Sequence, residues 1–181
     1  MASDKAEVLY FAYGSNLSST QMRRRCPKSE PVALTHLPGW KWFISGRGYV
    51  NIKPVMGTTV EGVTHCFDPS VGAGPGVYGI LYRLDPADEE MLDDFEGVPF
   101  AYEKSYLEVD KIEADKIEAE NAASGEKVEV LVYIDAMHVH KSRPRREYVA
   151  RMNRAINEAV EQWGLPKAYV DEVMRPFIRA P

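Results

Sequence analysis

With 181 residues, 45% hydrophobic and 27% charged, the sequence is long enough for one domain with a sizeable core and too apolar for a disordered chain. A formal net charge of −5 attracts neither phosphate backbones nor acidic membrane surfaces, so nucleic acid and membrane are not expected partners. Two cysteines, Cys26 and Cys66, make no disulfide framework, no apolar run approaches the ~18 residues of a membrane span, and the polar first residues do not read as a signal peptide; a cytoplasmic protein is expected.

Residues 1–6 read as a polar tail and 7–181 as a single domain. The nearly continuous apolar run over 7–13 predicts a strand buried on both faces. It stops at Gly14-Ser15-Asn16. Ser18 or Ser19 then caps a short helix that ends before Pro27, with three arginines in its last turn where they suit the dipole. Short β-like runs alternate with turn residues over 31–67, and 77–84 is another strong strand. Asp85-Pro86 opens a helix that Gly97 closes. Strands follow near 102–109 and 128–136. The pentapeptide Asp-Lys-Ile-Glu-Ala at 110–114 recurs at 115–119, and the charged stretch at about 110–127 reads as a solvated insertion between these two strands. Tyr148, Met152, Ile156, Ala159 and Trp163 fall at helical spacing, which predicts a helix over 145–163 and a second short one after Pro166. The fold class is α+β, and the many short strands suit a closed or strongly curled sheet, although the strand order cannot be read.

Four patterns carry little chemistry. Gly74 to Gly79 matches G-x-G-x-x-G, but a strand follows it where a dinucleotide fingerprint needs a helix. His138 and His140 lack a third ligand at metal-site spacing, so no metal is assigned. The basic stretch 141–146 reads as a solvated loop or as a contact for an anion. Cys26 follows three arginines, which could lower its pKa, but no histidine lies near it in sequence; it reads as an ordinary cysteine, with a cysteine hydrolase as a rival class.

Two features remain. Glu96 sits in the last turn of its helix, where a carboxylate opposes the dipole. It shares a face with Leu92, so it is either a boundary residue, paired with an arginine or exposed at a frayed end, or a carboxylate turned inward, with its pKa raised by burial. Tyr13 to Leu17, with Gly14 open to positive φ and Ser15 and Asn16 at a strand exit and helix start, forms a candidate anion cradle of main-chain N–H groups and helix amides.

The run Phe11-Ala-Tyr-Gly-Ser-Asn-Leu17, then Leu92-Asp-Asp-Phe-Glu-Gly97 and Tyr102, resembles the γ-glutamylcyclotransferase family (AIG2-like fold) over roughly 7–165. The resemblance implies a small mixed β-barrel with flanking helices. It also implies an enzyme, needing no metal or cofactor, that releases 5-oxoproline and an amino acid or amine from a small-molecule γ-glutamyl substrate. By the same resemblance Glu96 is the catalytic acid/base, and Tyr13, Gly14, Ser15, Asn16 and Leu17 bind the glutamyl end with Tyr133 and Tyr148. Glutathione-specific relatives share these motifs only loosely, so glutathione is not favoured. A γ-glutamylamine, an intermediate of secondary metabolism, or a non-enzymatic binding module stay open, as does a monomer or a homodimer.

Overall fold

The computed structural model describes residues 8–55, 76–112 and 126–181. The expected tail, Cys66, the first two residues of the Gly74–Gly79 pattern and the second copy of the repeated pentapeptide lie outside the described residues. In chain order the elements are β1 (Val8–Ala12), α1 (Ser19–Arg25), β2 (Glu30–Leu37), β3 (Trp40–Ile44), β4 (Val50–Pro54), β5 (Val77–Leu84), α2 (Pro86–Glu96), β6 (Glu103–Lys111), β7 (Lys127–Ile134), α3 (Arg146–Trp163) and α4 (Lys167–Tyr169). A 3-10 turn, Ser15–Leu17, joins β1 to α1, and a single π-helical turn, Val170–Met174, continues α4.

Five strands close into a barrel in the order β1-β5-β2-β6-β7. The α+β class and the small barrel with flanking helices agree with expectation. Closure is made by a parallel pairing, Tyr10 beside Leu131, and the other barrel neighbours are antiparallel. Closure leaves β1 no free edge and buries Tyr10, Phe11 and Ala12. Gly79 on β5 permits it: a Cβ there would collide with the Phe11 ring and the Ala12 carbonyl. Because β6 and β7 pair up to Asp110 and Lys127, the charged stretch between them joins two hydrogen-bonded neighbours.

Asp85 caps α2 by accepting from the Ala87 amide at 2.9 Å, and Gly97 ends it at φ 68°. α3 packs its apolar stripe of Tyr148, Met152, Ile156 and Ala159 inward. The hairpin β3–β4 stands apart from the barrel. Two bonds tie it to the end of β7: Asn51 Nδ2 donates to the Asp135 carbonyl (2.7 Å), and the Asp135 amide donates to Asn51 Oδ1 (3.1 Å). Among the described residues no helix is long and apolar enough to cross a membrane.

Candidate active site

The exit of β1 answers why a buried strand ends at Gly-Ser-Asn. Leu17 N donates to the Gly14 carbonyl (3.0 Å) and Ser18 N to the Ser15 carbonyl (3.1 Å), so the chain turns back at once. Gly14 has φ −113°, so the positive φ open to a glycine is not used. Its lack of a side chain matters for space, since a Cβ would lie 3.2 Å from the Tyr148 hydroxyl.

The expected row of free amides needs a correction. The turn swings the start of α1 towards α3, where Glu158 takes it: Ser18 Oγ, Ser19 Oγ and Thr20 N lie 2.9, 3.4 and 3.1 Å from Glu158 Oε2. The helix N-terminus therefore holds the protein's own anion and does not face the hollow. The turn instead lines the hollow with Gly14, Ser15 and Asn16.

Asn16 is fixed from every side. Its Nδ2 donates to the Tyr10 hydroxyl (3.0 Å) and to Glu96 Oε1 (3.2 Å); its Oδ1 accepts from Gln21 (2.8 Å) and Arg25 (3.3 Å); its carbonyl accepts from the Tyr82 hydroxyl (3.1 Å). A rigid amide thus joins the β1 exit to the last turn of α2, whose Leu92 is fully buried. Glu96 points inward, with its side chain 17% exposed and Arg25 Nη1 3.8 Å away. Both sequence alternatives hold at once, because the carboxylate is turned inward and paired with an arginine. Burial raises its pKa; Arg25, Arg151, the Asn16 bond and Arg47 oppose the rise without cancelling it.

A hollow of about 50 Å³ lies between them, lined by Glu96, Gly14, Ser15, Asn16, Val50 and five tyrosines: Tyr10, Tyr13, Tyr102, Tyr133 and Tyr148. Tyr13, Tyr133 and Tyr148 converge here as anticipated. Leu17 does not line it: the side chain is fully buried in the core, one residue too far round the turn. Burial raises the pKa of all five phenols, that of Tyr148 to about 12, so they remain protonated at neutral pH. Three of them already donate: Tyr13 to the Tyr133 carbonyl, Tyr102 to the Val50 carbonyl (2.9 Å) and Tyr133 to Asp93 Oδ1 (2.7 Å). Tyr10 instead accepts from Asn16 Nδ2.

Outside this hollow a cleft of about 260 Å³ is lined by Arg25, Arg47 and Arg151, by Tyr49, Phe95, Tyr102 and Tyr148, and by Glu96 on its inner side. Sequence reasoning missed Tyr10, Tyr102, Val50 and the arginines as site residues. The β1 alternation could have placed Tyr10, two residues before Ala12, beside the strand's exit, and Tyr102 already stood in the motif that carries the resemblance; nothing local marked Val50 or the arginines. Cys26 is buried, and burial pushes its thiol up to about 12, far from an activated nucleophile. His138 is bound to Asp135 at 2.9 Å, and among the described residues no group of three or more His, Cys, Asp or Glu gathers for a metal.

Comparison with known proteins agrees with this architecture. A family model described as the AIG2-like family matches residues 76–173. A solved structure named γ-glutamyl cyclotransferase superposes with a TM-score of 0.67 at 18% identity, covering 93% of this chain and 86% of that one. YkqA from Bacillus subtilis gives 0.67 at 18% identity, covering 98% of this chain and 56% of that protein. A yeast γ-glutamyl cyclotransferase specific to glutathione gives 0.51 at 15% identity, covering 91% of each. At these identities the likeness is one of fold. No curated protein matches the chain in sequence.

Proposed function

The chain belongs to the AIG2-like family, and from that premise we propose that it is a γ-glutamylcyclotransferase, releasing 5-oxoproline and an amine or amino acid from a γ-glutamyl substrate. The observation that carries the reading is the Glu96 carboxylate: inward-facing, raised in pKa by burial, and bonded through Asn16 to the exit of β1. A γ-glutamyl group reaches the site with its α-amine protonated and its γ-carbonyl only a five-membered ring away. Glu96 takes one proton from the ammonium. The freed nitrogen attacks the γ-carbonyl carbon, forming the ring C–N bond. As the bond from that carbon to the outer nitrogen breaks, Glu96 returns the proton to the leaving nitrogen; the second proton shed by the ring nitrogen goes with it, so that 5-oxoproline keeps one N–H and the amine departs as its ammonium. One carboxylate acts first as base and then as acid, and a raised pKa suits both steps. Because the attack is intramolecular, holding the chain folded supplies much of the rate. Tyr10 and Tyr148 supply hydroxyl protons to the substrate's carboxylate or to the developing oxyanion, in place of the helix amides that Glu158 occupies.

The test is incubation with a panel of γ-glutamyl compounds, scored for 5-oxoproline by mass. The wild type is expected to release it, and Glu96→Gln, with its circular dichroism unchanged, to be slower by about 10²- to 10⁴-fold. A Glu96→Gln protein that cyclises near the wild-type rate would overturn the role of Glu96. A wild type that releases no 5-oxoproline from any member of the panel would overturn the activity. The Cys26 hydrolase reading loses ground to the raised thiol pKa, and alkylation by iodoacetamide is expected to leave turnover intact.

A further inference from the structure

The outer cleft says what kind of amine leaves. In a chain of net charge −5, three guanidinium groups line one opening against a single carboxylate, and that carboxylate is the proposed acid/base. The arginines come from α1, from the turn between β3 and β4, and from α3, so three separate elements bring positive charge to one place. Each is braced. Arg47 Nη1 donates to the Ala101 carbonyl (3.1 Å), lies 3.7 Å from Asp135, and the group sits 5.4 Å from the Tyr102 ring centroid. Arg151 donates to Ser15 Oγ (3.0 Å), pairs with Glu147 at 3.5 Å, and lies over the Tyr148 ring at 5.2 Å. Arg25 lies over Phe95 at 4.9 Å. A guanidinium carries five N–H donors in a rigid fork, and these bonds do not use up the donors of Arg47 or Arg151.

We infer that this cleft is a second subsite that holds an anionic group, a carboxylate, on the leaving half of the substrate, with Arg47 and Arg151 as its specificity-determining residues. The inference rests on the proposed γ-glutamyl activity and narrows it: the leaving molecule is an amino acid and not a simple or cationic amine. Position supports this. Glu96 and Ser15 line both the hollow and the cleft, so a substrate whose γ-glutamyl end fills the hollow extends its other half between the arginines. A carboxylate there lies within an aromatic-walled opening that presents guanidinium N–H donors, whereas an ammonium would face those donors with Glu96 as the one carboxylate in the lining, since Asp135 and Glu147 pair with Arg47 and Arg151 but do not line the cleft.

The experiment compares γ-glutamyl-L-alanine with γ-glutamylethylamide, which is the same molecule without the carboxylate. For the wild type, kcat/KM is expected to favour the alanine compound by about 10- to 100-fold, the range for charge-assisted hydrogen bonds to one anion. In Arg47→Lys, Arg47→Gln and Arg151→Gln that ratio is expected to fall towards one. Because both substrates are measured on the same preparation, a partly misfolded variant lowers both values and leaves the ratio intact. Equal or better turnover of the ethylamide by the wild type overturns the anionic subsite while leaving the cyclotransferase reading standing. A wild-type preference that survives all three substitutions overturns the assignment to Arg47 and Arg151. Release of 5-oxoproline from neither compound, nor from any other γ-glutamyl compound, overturns the underlying reading and this inference with it.

Discussion

Glu96 combines two demands that oppose each other. In the proposed reaction the carboxylate takes and returns a proton, for which a pKa raised by burial suits it, and the same burial makes its ionised form costly. Its pKa is raised in the fold, so the folded state binds the proton more tightly than the unfolded chain does. That preference stabilises the fold fully below the ordinary value of 4.5 and is lost as pH rises through the folded pKa. Glu96→Gln keeps an acceptor for Asn16 and removes the charge. Its melting temperature is therefore expected to exceed that of the wild type at about pH 7.5, and the gap is expected to close at about pH 4. Thermal unfolding at the two pH values checks this; a variant less stable than wild type at neutral pH would mean that Arg25 and Asn16 stabilise the charge by more than burial costs it. Sequence reasoning found this residue because its signal is local, a carboxylate four positions from a core leucine at the wrong end of a helix. It could not find Asn16 as the partner, because 80 residues separate the two.

The turn at Ser15–Leu17 illustrates how an element's start can be read correctly and its use wrongly. Ser18 as a cap, the short helix and its end before Pro27 all follow from local rules, and α1 matches them. What no local rule supplies is the side chain that comes to the helix start from α3. Glu158 is partly desolvated, which would raise its pKa, yet the bonds from Thr20, Ser18 and Ser19 outweigh this and hold it below the usual carboxylate value. The stability it contributes is present above that ordinary range and is lost as pH falls through the depressed folded value. Glu158→Gln is expected to cost about 1–2 kcal/mol at neutral pH, the scale of a lost helix cap and a charge-assisted bond. The difference should shrink in acid. Urea midpoints at the two extremes measure it, and a constant difference across the range would show that packing of the longer side chain, not its charge, secures α1.

The site exists only because distant segments meet when the barrel closes. β1 brings Tyr10 and, at its exit, Tyr13; β7 brings Tyr133, α2 brings Glu96 and α3 brings Tyr148; burial patterns along the sequence mark each of these strands and helices but not which lie side by side. The parallel pairing of Tyr10 with Leu131 spans 121 positions, and alternation of apolar residues carries no information about such a neighbour. The hairpin β3–β4 is no part of the barrel, yet it supplies Val50 to the hollow and, from its turn, Arg47 to the cleft. Asn51, fully buried, ties it to the end of β7 through two bonds at Asp135. Asn51→Leu has a similar volume but strands a buried amide and carbonyl, which is expected to cost about 2–4 kcal/mol. It is expected also to lower kcat/KM for γ-glutamyl-L-alanine at temperatures where the variant is fully folded, because Val50 and Arg47 shift with the hairpin. Denaturation and steady-state kinetics on one preparation separate the two effects. A variant destabilised but fully active would mean that the hairpin keeps its place without Asn51, through Trp42 Nε1 on the Tyr13 carbonyl (3.0 Å) and the Tyr102 hydroxyl on that of Val50.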